Sequence, residues 1–122
     1  MAYSSDVRTL PVTVVETAVF VARAQGRMTE AERLAAIDMI ARDPERGVVI
    51  EGGGGIRKVR FAASGHGKSG GVRIIYYFHD PGRPVFLLTV FAKNERDNLS
   101  KAERNALAKV AKAVARTYGA QQ

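Results

Sequence analysis

Apolar residues recur along this chain at two different periods, and the changes of period mark its elements. Pro11 to Val15 has the β-branched density of a short strand, with a proline that suits its start or an edge position. Thr17 to Ala24 is apolar and alanine-rich enough for a short helix that ends near Gly26. In Thr29-Glu30-Ala31-Glu32 the threonine hydroxyl can accept an amide hydrogen bond while Glu32 reaches back to the cap amide. Leu34, Ile37 and Ala41 follow at helical spacing, and Asp43-Pro44 stops that helix.

The period then falls to two. Ile56 to Phe61 and Val72 to Phe78 alternate as strands, and the run from Val85 to Lys93 is apolar enough for a strand covered on both faces. Gly52 to Gly55 and Asp80-Pro81-Gly82-Arg83-Pro84 are turn chemistry, so the three strands form an antiparallel meander. Ser100-Lys101-Ala102-Glu103 repeats the capping signature, and Leu107, Val110, Ala111, Val114 and Tyr118 follow on one helical face. The expected fold class is α/β of the α+β kind: an N-terminal strand and helical hairpin, a mainly antiparallel sheet and a docked C-terminal helix.

At 122 residues the chain fits one domain, residues 1–122, with a single apolar core. No cysteine is present, which removes disulfides and thiolate ligands and suits a reducing compartment. The first residues lack the basic start and apolar run of a secretory signal, and no stretch approaches the roughly 20 apolar residues of a bilayer-spanning helix, so a cytoplasmic protein with no membrane partner is expected.

Charge changes the picture more by placement than by its net value of +7. Residues 1–50 carry six basic side chains against seven acidic ones. Residues 51–93 carry seven against Glu51 and Asp80, and residues 94–122 carry six against three. The cationic surface therefore belongs mainly to the strands, where it would attract a phosphate polymer or an acidic protein.

Alternation puts Lys58 and Arg60 on one face of their strand and Arg57, Val59 and Phe61 on the other; in the next strand Arg73, Ile75, Tyr77 and His79 share a face. If helices cover the opposite face, then Lys58, Arg60, Arg73 and Tyr77 form an open patch. A cation on a strand surface is commonly only solvated. Arg73 lies in a more apolar strand, where an unpaired guanidinium is costly. Tyr77 can be a packing aromatic, stack on a base or use its hydroxyl in proton transfer.

Gly67-Lys68-Ser69 is not a nucleotide-binding loop. Ala62 stands where such a loop needs its first glycine, and a strand follows where a helix should. The loop reads as a mobile hairpin from which Lys68 is expected to contact phosphate, or simply as a solvated one. His66 and His79 lack the companions of a metal site, and no cofactor is called for. What the set supports is metal-free RNA cleavage. A base activates a ribose 2′-hydroxyl that attacks the adjacent phosphate, cations stabilise the added charge, and an acid protonates the departing 5′-oxygen.

Three segments carry a wider likeness: Gly54-Gly55-Ile56-Arg57-Lys58-Val59-Arg60-Phe61-Ala62, Gly67-Lys68-Ser69-Gly70-Gly71-Val72-Arg73-Ile74-Ile75-Tyr76-Tyr77, and Leu87-Leu88-Thr89-Val90-Phe91-Ala92-Lys93-Asn94-Glu95 with Leu99-Ser100. In these the chain resembles the RelE/ParE superfamily of toxins from bacterial toxin–antitoxin pairs, especially the HigB-like branch. The resemblance implies a small fold with helices packed on a sheet, entry into the ribosomal A site, mRNA cleavage during translation, and inhibition by a cognate antitoxin, expected to be a helix-turn-helix protein. Carried across by motif, Lys58 and Arg60 match paired basic positions and Arg73 the arginine after the hairpin. Lys93 stands at the end of the last strand. Arg57, Lys68, Lys93 and Arg96 are the expected RNA contacts; Arg73, Lys58, Arg60 and Tyr77 are the expected catalytic group. Asn94 stands where the mRNA-cutting members place an arginine, and their C-terminal tyrosine has no counterpart near Leu99-Ser100. The ParE branch poisons DNA gyrase instead, so a gyrase-directed toxin and a non-catalytic RNA-binding regulator stay open as alternatives.

Overall fold

The computed structural model describes residues 11–63 and 71–120, the side chains of 118–120 excepted. Lys68 and His66, in the expected hairpin, and the side chain of Tyr118 lie outside the described residues. The elements run β1 (Val14–Glu16), α1 (Ala18–Ala24), α2 (Glu30–Arg42), β2 (Val48–Val49), β3 (Ile56–Phe61), β4 (Val72–Tyr77), β5 (Val85–Ala92) and α3 (Lys101–Ala120). They build one five-stranded sheet in the order β1-β5-β4-β3-β2. The β3-β4-β5 meander is antiparallel as its turns demand, whereas β1 pairs parallel to β5 at one edge, and the helical hairpin carries the chain from β1 to β2 at the other.

Local chemistry accounts for the helix starts. The Thr17 hydroxyl accepts the Phe20 N–H at 3.3 Å and donates to the Leu87 carbonyl at 2.8 Å, tying α1 to β5. Both sequence capping boxes form. Thr29 N–H donates to Glu32 at 2.9 Å and Glu32 N–H to the Thr29 hydroxyl at 3.1 Å; the same distances hold Ser100 N–H to Glu103 and Glu103 N–H to Ser100.

The sheet is covered on both faces. Phe20, Ala24, Met28, Ala36 and Ile40 of the hairpin region meet Val59, Val72, Ile74, Tyr76, Leu87 and Val90. On the other face Leu107, Ala111, Val114 and Ala115 of α3 pack over Ile56, Ile75, Tyr77, Phe86 and Leu88. Double coverage explains why every residue of β4 and β5 is buried.

Three expectations need correction. The first strand is Val14–Glu16 and starts later than Pro11, because it forms only where β5 offers partners, from Val14 opposite Val85. On α2, Ala36 and Ile40 are fully buried while Leu34 is 53% exposed; at 3.6 residues per turn Leu34 lies roughly 200° from Ala36, and the small alanine sets the face that closes on the sheet. On α3, Val110 is exposed and Ala111 carries the seam. Strand β2 was unexpected. It is two residues long at the sheet edge, and its Val48 and Val49 are 71% and 52% exposed.

Tyr76 pins the loop before β2. Its hydroxyl accepts the Gly47 N–H and donates to the Pro44 carbonyl, both at 2.8 Å. Tyr76→Phe strands two backbone groups in a buried setting and is expected to cost about 1–3 kcal/mol, read by urea denaturation.

Candidate nucleic-acid interface

Pairing of β3 with β4 sets Arg60 directly opposite Arg73, and Lys58 opposite Ile75. Like charges opposite one another on one face of a sheet repel, so this pair is costly without an anion nearby. Arg73 in turn pairs with Phe91 of β5, and Lys93, two residues beyond Phe91, is held at the strand end by its N–H to the Gly71 carbonyl at 3.0 Å. Lys58, Arg60, Arg73 and Lys93 line one open depression of about 360 Å³, together with Val48, Asp97 and Asn98. Arg73 is buried at 8% exposure, whereas Arg60 and Lys93 are exposed, so a partly desolvated guanidinium forms the floor beneath more accessible cations.

The other expected residues are placed elsewhere. Tyr77 shares the face of Arg73 by alternation but lies four residues along β4, roughly 13 Å away at the strand rise. There α3 covers it to 7% exposure, beside a separate groove with Gly52, Gly54, His79, Lys109 and Lys112. Burial raises its phenol pKa, which keeps the proton on at neutral pH. The expected four-residue patch is therefore Lys58, Arg60 and Arg73 joined by Lys93, without Tyr77. Coverage by α3 of only one end of the face is the reason. Tyr76 is committed to Gly47 and Pro44. His79 pairs with Asp80 through Nδ1 at 2.5 Å.

Arg57 and Arg96 also stand apart from that depression. Arg57 points to the hairpin side and donates to the carbonyls of Glu45 at 3.1 Å and Gly47 at 2.8 Å, bracing the loop that Tyr76 pins. Arg96 lies over the Phe91 ring at 4.6 Å and pairs with Glu103 at the start of α3. That arginine and the Ser100 cap amide hold the Glu103 carboxyl down at about 2, against an ordinary 4.5. A depressed pKa stabilises the fold above the unfolded value and loses that contribution as pH falls through the folded one. The stability advantage of the native chain over Glu103→Gln is thus expected to be full above pH 4.5 and to vanish as pH falls towards about 2, measured by thermal melts across that range.

Asp97 and Asn98 were missed at the sequence level, although Lys93 and Asp97 stand four apart with opposite charge. Asp97 pairs with Lys93, and Asn98 accepts from Lys58 Nζ at 2.6 Å. Among the described residues no three His, Asp or Glu side chains are grouped to hold a metal ion, and no helix is long and apolar enough to cross a membrane. The arrangement can grip phosphate and stabilise charge developing on it. The model of a family described as the RelE toxin of the RelE/RelB toxin–antitoxin system matches residues 14–121, nearly the whole described fold, and the chain belongs to that family.

Proposed function

We propose that this protein is a toxin of the HigB-like branch that cuts mRNA on the ribosome, gripping the RNA backbone in the Lys58, Arg60, Arg73 and Lys93 depression. The observation that carries the reading is the convergence of these four cations, with Arg60 and Arg73 placed opposite each other despite their repulsion. Within the chain the carboxylate of Asp97 offsets part of this charge, and the remainder suits a ligand that brings several negative charges. In this reading Arg73 is the fork that holds the scissile phosphate and meets the charge added when the 2′-hydroxyl attacks. Lys58, Arg60 and Lys93 fix the neighbouring phosphates. The chain supplies positioning and charge stabilisation, and the ribosome orients the substrate.

Membership of a toxin–antitoxin family implies an antitoxin partner; we take it to be a helix-turn-helix protein encoded beside the toxin. One observation favours a second reading, non-catalytic RNA binding: the depression brings Tyr77 no closer than another site, and its single carboxylate is tied to Lys93. Induced expression with and without the neighbouring gene, followed by mapping of RNA ends, separates these. New 5′-hydroxyl ends in mRNA that require ribosomes support the endonuclease. Intact mRNA with arrested growth supports the regulator, and intact mRNA with DNA damage supports a gyrase-directed toxin.

A further inference from the structure

The segment between β5 and α3 is anchored immediately before Asp97. Glu95 receives two hydrogen bonds from the Arg27 guanidinium, each at 2.7 Å, and accepts the Ala92 N–H at 2.7 Å. Arg96 is clamped between Phe91 and Glu103. Between these anchors and α3, Asp97 and Asn98 reach back over the cations, Asp97 onto Lys93 and Asn98 onto Lys58. The Asp97 carboxyl is held below the usual range, first by the hydrogen bond and charge of Lys93 and then by the fields of Arg73 and Lys58. One carboxylate, paired with Lys93, therefore shares the depression with all four cations and lies in the field of two more of them.

We propose that Asp97 is a specificity-determining residue, a built-in anion that occupies the phosphate position of the basic depression and discriminates against RNA that is not presented by an assembly. This rests on the RNA-contacting reading of that depression. A carboxylate offers the oxygen geometry that guanidinium and ammonium groups recognise in phosphate, so the two compete for the same donors. At 70% side-chain exposure Asp97 is free to swing out without unpacking the core. Free RNA must displace it with each encounter and gains little. RNA already fixed on a ribosome presents several phosphates at once, and its high local concentration overcomes the same competitor. Anchoring by Glu95 and Arg96 keeps the competitor in place, which an unrestrained loop carboxylate would not achieve.

The test uses the purified full chain and a short labelled 2′-O-methyl RNA oligonucleotide, which lacks the attacking hydroxyl. Affinity is measured across a salt series for the native protein, Asp97→Asn and Arg60→Ala. Removal of the internal anion is expected to tighten free-RNA binding about fivefold and to steepen the logarithmic salt slope by about 0.7, the increment of one further single-strand phosphate contact. Arg60→Ala is expected to weaken binding and flatten the slope. If Asp97→Asn binds like the native chain while Arg60→Ala weakens, the competitor role is wrong and the RNA-contacting face stands. If Arg60→Ala changes nothing, the face itself is misassigned and the inference falls with it. Unchanged binding by Asp97→Asn together with lost cleavage of ribosome-bound mRNA would make Asp97 a proton acceptor and overturn its role as competitor.

Discussion

Arg73→Ala is expected to lower the single-turnover rate of mRNA cleavage on the ribosome by at least about a hundredfold, the equivalent of about 2.7 kcal/mol of lost transition-state stabilisation. The guanidinium sits on the floor of the depression, between Arg60 on β3 and Phe91 on β5, where partial desolvation strengthens its hold on an anion. Arg73→Lys keeps the charge and loses the two-pronged geometry, so it should recover only part of the rate. The fold should survive, because losing the packed arginine stem is offset by relief of the repulsion with Arg60, and stability is expected to move by no more than about 1 kcal/mol. A rate loss with an unchanged urea midpoint would separate chemistry from unfolding.

The second large effect is on stability. Gly71→Ala is expected to cost roughly 2–4 kcal/mol and to lower the melting temperature by about 10 °C. Gly71 opens β4 at a φ of +74°, and a Cβ there would stand 2.4 Å from the Phe61 carbonyl oxygen and 3.2 Å from the Ala62 Cα. Both are backbone atoms that cannot rotate aside, and the Gly71 carbonyl also receives the Lys93 N–H. Relaxation would have to open the Phe61–Val72 end of the β3–β4 ladder, next to Arg60 and Arg73. Gly26→Ala separates the two causes. Its φ is +82° with nothing within 4 Å, so it should show only the backbone strain of about 1 kcal/mol.

Local signals were legible in the sequence wherever one residue type has one physical use. Thr29 with Glu32 and Ser100 with Glu103 capped the helices they were expected to cap, and three apolar runs became β3, β4 and β5. Tertiary placement was less legible. Val48 and Val49 are too few to show a period, and their strand exists because β3 has an edge to extend. Leu34 and Val110 are apolar and exposed because small alanines, not the largest side chains, define the faces that close on the sheet.

The site divides the same way. Alternation correctly set Lys58, Arg60, Arg73 and Tyr77 on one face, but only the path of α3 decides that Tyr77 is covered by a helix while the buried Arg73 lines an open depression with Lys58 and Arg60. Arg57 and Arg96 are cations by composition and braces by position, a distinction that depends on carbonyls and a carboxylate far from them in sequence. Asp97 gave no sign by itself, since its meaning comes from the cations beneath it.

The central claim is that the open basic depression is where RNA is held and cut. Its most direct test is cleavage in a reconstituted translation system, comparing the native chain with the combined variant Lys58→Ala, Arg60→Ala, Arg73→Ala at matched folded concentration. The native protein should give 5′-hydroxyl mRNA ends only when ribosomes are present, and the combined variant should give none above background. Equal cleavage by both proteins, or intact mRNA with the native one, would contradict it.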